Sequence, residues 1–441
     1  MHSQMSAFIP FPLPPTPAIP DAVCHDIRDH GAVSGGDVLN TAAIAAAIDA
    51  CAARGGGRVL VPAGVWLTGP VHLRSRIELH LEKGAELRFS RDPAHYLPVV
   101  FQQRGGIRCH NYSPLIYARG CHDVALTGAG VLEGQGDAWW PWKLAQPGMV
   151  DLFRANTLRT PVPERVYGTP AHGVRPPFFQ AIECRDVLVE GVTFRNSPSW
   201  TIHPVWCENV TVRGVTVTNP PHAHNTDGID PDGCRNVLVE HCLVDTGDDG
   251  ICLKSGREPD AWEAGKPCEN VVVRHCRVFS AHGGFVIGSE TAGGIANVLV
   301  HDCDFDGTDI GVRVKTQAGR GAFIKNIQVE RVRMSRIAKE AILVTLRYDG
   351  EPLDRASAAA TDARVPDVRD MLFRDIESAG SRIGLRLEGL PGHPLRSLRF
   401  EHLRLVAETD VVSEDVADLT TRDVVITRPE AAVPAGGSSR S

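Results

Sequence analysis

The second half of the chain contains three aspartates, Asp227, Asp248 and Asp249, whose residue type and crowding suit the cleavage of a sugar linkage. Glycoside hydrolysis needs a protonated carboxylic acid for the leaving oxygen and an ionised carboxylate that activates water or attacks the anomeric carbon. Crowded carboxylates raise the pKa of one member, which can then act as the acid near neutral pH. The acids therefore predict glycoside hydrolysis rather than a metal site, and we expect no metal ion and no cofactor. For an inverting reaction, acid and base carboxyls should lie roughly 6.5 to 9.5 Å apart.

One histidine and two cations accompany the acids. His282 could tune the acid, because an imidazole changes its charge near neutral pH. Arg313 and Lys315 are two residues apart, so they would lie on the same face of a strand. A guanidinium can bind a carboxylate bidentately, and a lysine adds a compact charge beside it. Because the formal net charge is -7, any anionic ligand must be held by a local basic patch of this kind.

The elements that would position these residues are indicated by a phrase that recurs along the chain: an asparagine or aspartate followed by alternating apolar and polar residues. Between Asp186 and Asn326 these marker residues lie 23, 27, 34, 27 and 29 residues apart. Each unit holds two or three short β-prone runs between Gly, Asn, Asp and Pro, with no helical period. A propeller blade would need about 40 residues and four strands. The repeat therefore predicts an all-β, single-domain, right-handed parallel β-helix, in which each unit is one coil.

Equal offsets from the markers predict which side chains lie beside each other on neighbouring coils. Asp248 and His282 each follow a marker by 12 residues, so they should stack at about the 4.8 Å separation of adjacent strands. Asp227 and Lys315 each follow a marker by 18 residues. The glycines on either side of Asp248 and Asp249 would permit a bend that presents both acids to one surface.

The remaining segments are expected to complete one domain. The predicted β-helix covers residues 29–428, after an N-terminal extension at 1–28 and before a flexible tail at 429–441. The alanine-rich segment from Asn40 to Ala53 predicts an amphipathic helix, with Ile44 and Ile48 on its apolar face, that caps the first coil.

Residues 133–177 interrupt the repeats with seven prolines and the tryptophans Trp139, Trp140 and Trp142. A loop this long inside a regular scaffold is usually functional. The tryptophans would pack the segment against the coils or stack on a sugar. A wall across one end of a groove leaves room for only the terminal sugar, so this segment favours exo action. The alternative is a loop that only covers apolar surface.

Composition and patterning exclude other classes of function. Lys and Arg number 46 against 53 Asp and Glu, which argues against a nucleic-acid partner. No stretch approaches the roughly 20 apolar residues of a membrane span, and prolines interrupt any signal-peptide core near the N-terminus. We therefore expect no membrane partner and a cytoplasmic protein, or a periplasmic or secreted one if an upstream signal is missing. The twelve cysteines are interpreted as buried small side chains in a reducing compartment, and the protein is expected to be a monomer.

The reactive residues fall in four motifs that resemble those of glycoside hydrolase family 28, the polygalacturonase family, whose signatures are Asn-Thr-Asp, Gly-Asp-Asp, Gly-His-Gly and Arg-Ile-Lys. The corresponding motifs here are Asn225-Thr226-Asp227, Gly247-Asp248-Asp249, Ala281-His282-Gly283 and Arg313-Val314-Lys315. Ala281 and Val314 depart from the signatures but leave every reactive side chain in place. The resemblance extends from about residue 29 to about residue 350. It is closest to bacterial exo-acting members, through the segments 197–204 and 284–290.

The resemblance implies a pectin lyase-like solenoid that hydrolyses α-1,4-galacturonosyl linkages of polygalacturonate or its oligomers with inversion. It implies that Asp248 is the general acid, that Asp227 and Asp249 position and deprotonate the water, and that His282 supports the acid. The pair Arg313 and Lys315 would hold the substrate's uronate carboxylate. Further candidates for substrate binding are Asn225, His203, Lys254, Arg257 and Arg320.

Three other functions compete with this interpretation. A hydrolase of a related pectin backbone, rhamnogalacturonan or xylogalacturonan, would share the acids but depend less on Arg313 and Lys315. A polysaccharide lyase on the same fold would use a basic residue and a calcium ion, which acidic clusters also suit. A glycan-binding β-helix would use aromatic platforms instead of stacked acids.

Overall fold

The structure, a computed structural model, describes residues 11–348 and 364–429. Residues 1–10 of the predicted extension and residues 430–441 of the predicted tail lie outside the described residues.

The helices are α1 (Thr41–Ala53), α2 (Pro147–Thr157) and α3 (Asp260–Ala264), with short 3-10 turns at Ile27–His30, Pro93–Tyr96, Gly136–Ala138, Trp140–Leu144, Val162–Glu164 and Pro170–His172. The strands in chain order are β1 (Cys24–Asp26), β2 (Gly57–Val61), β3 (Gly64–Thr68), β4 (Val71–His72), β5 (Ile77–Leu81), β6 (Ala85–Phe89), β7 (Val100–Arg104), β8 (Ile107–Asn111), β9 (Ile116–Arg119), β10 (His122–Gly128), β11 (Val131–Glu133), β12 (Phe179–Ile182), β13 (Arg185–Glu190), β14 (Thr193–Arg195), β15 (Glu208–Arg213), β16 (Thr216–Thr218), β17 (Arg235–Glu240), β18 (Leu243–Asp245), β19 (Ile251–Leu253), β20 (Cys268–Arg274), β21 (Arg277–Phe279), β22 (Phe285–Ile287), β23 (Ile295–Asp306), β24 (Val312–Lys315), β25 (Phe323–Ser335), β26 (Glu340–Thr345), β27 (Asp367–Glu388), β28 (Leu395–Glu414) and β29 (Val416–Thr427).

The strands form the parallel β-helix that the repeat predicts, with three sheets running along its length. The first sheet joins β1, β2, β5, β10, β13, β15, β17, β20 and then β23, β25, β27, β28 and β29, all parallel. The second joins β3, β6, β11, β14, β16, β18 and β21. The third, called here the site sheet, begins with β4, β9 and β12. Single bridges connect β12 to β19, and β22, β24 and β26 follow β19 by regular parallel pairing.

The recurring asparagines and aspartates stand where the chain turns into the first sheet with a left-handed backbone. Asn236 has φ 56° and Asn270 has φ 58°, a conformation that Asn and Asp adopt more readily than other non-glycine residues. Their side chains also bond from coil to coil: Asn236 Nδ2 donates to Asn209 Oδ1 at 3.0 Å, and Asn270 Nδ2 donates to Asn236 Oδ1 at 3.0 Å. The marker residue is therefore both a turn and a rung of a polar ladder.

Alternate residues of each strand point inward and stack in register. Val187, Val210, Val237 and Val271 are aligned on neighbouring coils, and each is almost fully buried. Ten of the twelve cysteines are buried and all twelve are free, which confirms that most of them serve as small core side chains. Burying one aliphatic side chain of this size contributes about 1.5–3 kcal/mol, so a continuous stack suffices to hold the coils together.

The predicted capping helix is confirmed as α1, with Ile44 and Ile48 buried against the first coil. The Asn40 side chain does not cap the helix; it accepts from the Val33 backbone N–H at 2.7 Å and fixes the preceding loop. The β-helix begins earlier than the predicted boundary at residue 29, because β1 already pairs with β2.

Three segments that lie outside the regular coils are in contact with each other. The antiparallel hairpin of β7 and β8, the 133–177 insertion with α2, and the segment 256–264 with α3 are together called the wall. Asp260 joins all three, since its carboxylate accepts from Arg108 Nη2 at 3.0 Å and from Arg165 Nη1 at 2.8 Å. Within the described ranges, no helix is long and apolar enough to cross a membrane.

Candidate active site

The site sheet positions the residues that the sequence predicts to be reactive. Asp227 lies two residues before the bridge residue Ile229, and Asp248 and Asp249 come just before β19. His282 precedes β22 on the next coil, and Arg313 and Lys315 lie on β24 one coil further. Consecutive coils therefore bring these six side chains to one surface.

The bend that presents both adjacent acids is present, with the chain bending at Gly247 and Asp248. The glycines have a second role. A Cβ on Gly250 would lie 2.4 Å from Val278 Cγ1, and one on Gly247 would lie 2.6 Å from the carbonyl oxygen of Pro220. Close approach of the neighbouring chain therefore requires glycine on both sides of the acid pair.

The three carboxyls are closer together than the sequence analysis expected. One oxygen each of Asp227, Asp248 and Asp249 lies within 4.8 Å of the other two, which is shorter than the gap of roughly 6.5 to 9.5 Å that is typical of inverting enzymes. Asp248 and Asp249 are adjacent in the sequence, and Asp227 lies on the neighbouring coil, at a strand spacing of about 4.8 Å. The separation of the acids therefore does not by itself support inversion.

Asp249 is bound by both predicted cations. Lys315 Nζ lies 2.7 Å from Asp249 Oδ2, and Arg313 Nη1 lies 3.3 Å from Asp249 Oδ1. Asp249 and Lys315 are both buried. Despite burial, the charge of Asp249 raises the pKa of Lys315, so the lysine stays protonated at neutral pH. Asp249 is therefore held by two cations of β24.

Asp227 has a different environment, because a single lysine is its only hydrogen-bonding side chain in the described parts of the chain. Asp227 is 2% exposed, and Lys254 Nζ donates to its Oδ2 at 3.1 Å while Oδ1 has no hydrogen-bond partner. Burial raises the pKa of Asp227 to about 7, against the charge of Lys254 and with the help of the neighbouring Asp248 and Asp249. This carboxyl can therefore exchange a proton near neutral pH.

Asp248 forms an ion pair with His282, as the equal offsets predict. His282 Nδ1 lies 3.2 Å from Asp248 Oδ1, and the His282 backbone N–H donates to the Asp248 carbonyl. Burial alone would raise the pKa of Asp248, but the hydrogen bond and charge of His282 hold it below its usual range. The same hydrogen bond raises the pKa of His282. In the free site the proton of this pair therefore resides on the imidazole, and the pair titrates as a unit.

The predicted residue Asn225 supports Asp248. Its backbone N–H donates to Asp248 Oδ2 at 3.0 Å, and its side-chain amide donates to the same oxygen at 3.3 Å. Asn225 has φ 57°, which asparagine tolerates better than most residues. The Asn-Thr-Asp motif thus supplies both a neighbouring acid and the donor that orients Asp248.

Lys254 is the centre of a buried charge cluster that the sequence analysis did not identify in full. Besides Asp227, its Nζ lies 3.7 Å from Asp230 and 3.5 Å from Glu290, and 4.3 Å from the ring centre of Trp200. Burial raises the pKa of Asp230, which lies behind Asp227, well above its ordinary value. Asp230 follows Asp227 by three residues, and this short spacing could have indicated that the two acids lie close together.

Three of the secondary candidates already have partners within the protein. His203 is fully buried, with Gln180 2.8 Å from its Nδ1 and Asp232 3.3 Å from its Nε2. Arg320 is buried and binds both carboxylate oxygens of Glu258, at 2.6 and 2.7 Å. Arg257 Nη2 binds Glu290 at 3.1 Å. Substrate binding by these three residues stays a prediction, since the sequence did not show which neighbours their side chains bind.

The acids offer oxygen atoms at distances that a cation could share. Lys254 and Lys315 already place ammonium groups 3.1 Å from Asp227 and 2.7 Å from Asp249. The positive charge that balances these carboxylates is therefore supplied by the chain itself, and the arrangement suits proton transfer.

The tryptophans of the insertion pack against the protein. Trp139 is fully buried and lies edge to face with Tyr96 at 5.3 Å between ring centres. Trp140 Nε1 donates to the Ser197 carbonyl at 2.8 Å. Of the two roles predicted for this cluster, packing against the coils is the one that Trp139 performs. The insertion also brings Lys143 and Arg175 toward the acids.

Comparison with known proteins assigns this arrangement to a family. The sequence profile described as "Glycosyl hydrolases family 28" matches residues 169–407. A Vitis vinifera protein named "Probable polygalacturonase" is 31% identical over 86% of this chain and 73% of its own length. The "Exo-poly-alpha-D-galacturonosidase" of Dickeya chrysanthemi is 29% identical over 85% of this chain and 65% of its own.

Among solved structures, an exopolygalacturonase from Thermotoga maritima is 36% identical, covers 94% of each chain and superposes with a TM-score of 0.88. The region that the family profile matches, residues 169–407, includes all four motifs of the site sheet. With its acids, histidine and cations on consecutive coils of a parallel β-helix, the chain belongs to glycosyl hydrolase family 28 and is a glycoside hydrolase.

Proposed function

We propose that this protein hydrolyses α-1,4-galacturonosyl linkages of pectic polygalacturonate or its oligomers, that it acts from the chain end, and that it inverts the anomeric centre. The observation that carries the proposal is the placement of two fixed cations, Arg313 and Lys315, against one of three clustered acids. Chemistry on a sugar and recognition of a carboxylate then occur at one place. The names of the relatives from Dickeya chrysanthemi and Thermotoga maritima support the same substrate and exo action.

The Asp248–His282 pair supplies the proton for the leaving oxygen. In the free site the imidazole holds that proton, and its Nδ1 lies 3.2 Å from Asp248 Oδ1. When a sugar covers the site and displaces water, transfer to Asp248 neutralises both partners of the pair, and Asp248 then passes the proton to the glycosidic oxygen and becomes a carboxylate again. The bond between the anomeric carbon and that oxygen breaks as the proton arrives. Positioned proton donation typically contributes 10² to 10⁴-fold to the rate.

Asp227 and Asp249 activate the water. Their nearest oxygens lie within 4.8 Å of each other, so one water between them can bond to both. Arg313 and Lys315 hold Asp249 in place at 3.3 and 2.7 Å, and Asp227 with its pKa of about 7 can accept the water's proton as the new bond to the anomeric carbon forms. A retaining reaction needs one carboxylate nucleophile in addition to the acid. An inverting reaction has a role for the third carboxyl as well, because that carboxyl helps to hold the water. The three acids therefore favour inversion.

Exo action is supported by the wall. The hairpin, the insertion and α3 are locked together by the buried ion pair of Arg165 with Asp260 at 2.8 Å, and Lys143 of the insertion lies close enough to Asp227 and Asp248 for their charges to affect its pKa. A rigid obstruction next to the acids limits the groove to a terminal sugar. A cytoplasmic location and a monomeric state stay predictions from the sequence.

The test is the time course of ¹H NMR spectra during digestion of trigalacturonate. We expect saturated galacturonate to be released with the β-anomer appearing first, and a rate lower by about 10² to 10⁴-fold with Asp248→Asn as the control. An α-anomer released first would contradict inversion, and an unsaturated uronide product would show a lyase. Equal cleavage of a neutral α-galactoside would contradict recognition of the carboxylate.

A further inference from the structure

One column of the site sheet carries a polar side chain on each of five successive coils. Strand register and single bridges align its members, which in chain order are His72, Tyr117, Gln180, His203 and Asp230. Their neighbours in the chain, such as Ile202 and Ile229, belong to the hydrophobic core. Since successive side chains of a strand point to opposite faces, the column faces away from the core, and we call it the floor column.

Strand β7 of the wall hairpin lies along the middle of the floor column. Two of its backbone carbonyl oxygens accept from column side chains: Tyr117 Oη donates to Phe101 at 2.6 Å, and Gln180 Nε2 donates to Gln103 at 2.8 Å. Carbonyl groups two residues apart in an extended strand point to the same side. Because Tyr117 and Gln180 are on neighbouring coils, the two contacts fix both the position and the direction of β7.

The Gln180 amide is itself held by His203. The same Nε2 lies 2.8 Å from His203 Nδ1, so its two protons are directed to a carbonyl oxygen and to an imidazole nitrogen. Nδ1 is then the accepting nitrogen, and the proton of the neutral ring is on Nε2, 3.3 Å from Asp232 Oδ2. Burial lowers the pKa of His203, against the effect of Asp232, which keeps the ring neutral at neutral pH. We call Gln180, His203 and Asp232 the hairpin clamp.

The hairpin clamp acts at the end of β7 that is next to the catalytic acids. The residue that follows the clamped carbonyl is Arg104, whose pKa responds to the charge of Asp227. In the floor column the next residue after His203 is Asp230, and its carboxyl shares with Asp227 the ammonium group of Lys254. One row of side chains therefore holds the hairpin and then supports a catalytic acid.

Resting on the proposed exo action, we propose that Gln180 and His203 are positioning residues that set the cleavage pattern by holding the end of the wall hairpin on the floor of the groove. Both side chains are fully buried, so they act through the position of the hairpin. Without the clamp the Gln103 carbonyl oxygen would be buried without a donor, which favours its movement toward water. A displaced hairpin would leave the groove open beside the acids, and internal linkages of a long chain could then be cleaved.

The first test compares Gln180→Leu with the wild-type protein during digestion of polygalacturonate, with viscosity, reducing ends and product sizes followed together. Leucine is close to glutamine in size but cannot donate to the Gln103 carbonyl. We expect oligomers beside the monomer and a loss of viscosity per cleaved bond about two- to tenfold larger, since one hydrogen bond changes an equilibrium by about that factor. With trigalacturonate, KM should rise while kcat changes little, because no member of the clamp reacts.

Two substitutions of His203 separate its hydrogen bond from its volume. In His203→Asn, the Oδ1 atom can take the place of Nδ1 and accept from Gln180, so the wild-type product pattern should be retained. His203→Leu fills the space without an acceptor and should release the same oligomers as Gln180→Leu. Equal product patterns from the two His203 variants would show that His203 acts through its volume alone and would overturn its assignment.

Two further variants test whether the effect belongs to the hairpin contact. Tyr117→Phe removes only the hydroxyl that holds the Phe101 carbonyl. We expect a smaller shift in the same direction, because Tyr117 lies one coil further from the acids than Gln180. The matched control is Gln328→Leu on β25 of the first sheet, which loses only a bond to Glu330 and should give the wild-type products.

Thermal unfolding checks that each variant is folded, and Tyr117→Phe decides the question if Gln180→Leu and His203→Leu are not. Monomer as the sole product of every folded variant would overturn the clamp and leave the proposed exo action intact. Mixed oligomers released from the start by the wild-type protein would contradict exo action, and the clamp with it. A wild-type protein that releases no galacturonate from trigalacturonate would contradict the proposed function itself.

Discussion

The two sides of the cleft differ in how their cations are balanced. On the coil side, Arg313 and Lys315 lie on a regular strand and contact Asp249 at 3.3 and 2.7 Å. On the wall side, Arg104 and Arg175 are more deeply buried than Arg313 and have no carboxylate partner among the described residues. The difference teaches that the coils supply the reacting acids together with the cations that pair with them.

The largest expected effect is on the coil side. Asp248→Asn keeps the size of the side chain but cannot donate the proton, so kcat should fall by about 10² to 10⁴-fold while oligogalacturonides still bind. The measurement is kcat by reducing-sugar release together with the Kd of trigalacturonate by calorimetry. A loss of binding as large as the loss of kcat would show that Asp248 holds the substrate instead of protonating it.

The second prediction compares two buried arginines within the wall. Arg165→Met removes one partner of Asp260 and should lower the free energy of unfolding by roughly 3 to 5 kcal/mol, because a buried carboxylate loses a cation. Arg104→Met removes an unpaired buried charge and should leave the stability unchanged or raise it. Denaturant unfolding of both variants measures this. Equal destabilisation would mean that Arg104 is a structural residue.

Lys315→Met should have a smaller effect than Asp248→Asn and act on binding and rate together. It removes a charge-assisted contact worth about 1.5 to 3 kcal/mol, so KM for galacturonides should rise, and kcat should fall because substrate binding energy positions the scissile bond. Steady-state kinetics on galacturonide and on neutral galactoside provide the check. An unchanged preference between these substrates would contradict the assignment.

The smallest expected effect is a shift in the pH profile. If Asp227 acts as a base, kcat/KM falls as the pH drops through its pKa of about 7. Lys254 is the cation that most opposes this raised pKa, so Lys254→Met should move the acidic limb to higher pH. Profiles of kcat/KM for both proteins, with Lys83→Met as the control, measure the shift. An unmoved limb would show that another group controls it.

The same pKa has a consequence for stability with a definite sign. The folded-state pKa of Asp227 is raised above its ordinary value of 3.8. Its contribution to the free energy of unfolding is therefore fully present below about pH 4 and is lost as the pH rises through about 7. The lowered pKa of Asp248 and the raised pKa of His282 act differently, since their ion pair stabilises the fold between the unfolded values of the two groups and weakens outside that range.

The difference between the two sides also explains what could be predicted from the sequence. On the coils, marker residues such as Asn236 and Asn270 recur at a left-handed turn, so counting from them placed His282 beside Asp248 correctly, at 3.2 Å. Sequence spacing could not give the short separation of the acids. It also could not show that the Arg320 guanidinium is bound by Glu258.

The wall lies beyond such counting. The hairpin that carries Arg104 and the insertion that carries Lys143 have no repeat against which an offset can be measured. Their long-range contacts, such as Asn156 Nδ2 to the Glu258 carbonyl at 2.7 Å, join residues about one hundred positions apart. The length and proline content of residues 133–177 predicted a wall. They could not predict which side chains of this segment lie near the acids.

The most direct test of the central claim is the digestion of polygalacturonate by the wild-type protein, with viscosity and reducing ends followed together. A wall beside the acids predicts that galacturonate monomer is released from the start while viscosity falls slowly for each bond cleaved. A rapid early loss of viscosity with a mixture of oligomers would contradict it, because that result requires a groove open at both ends.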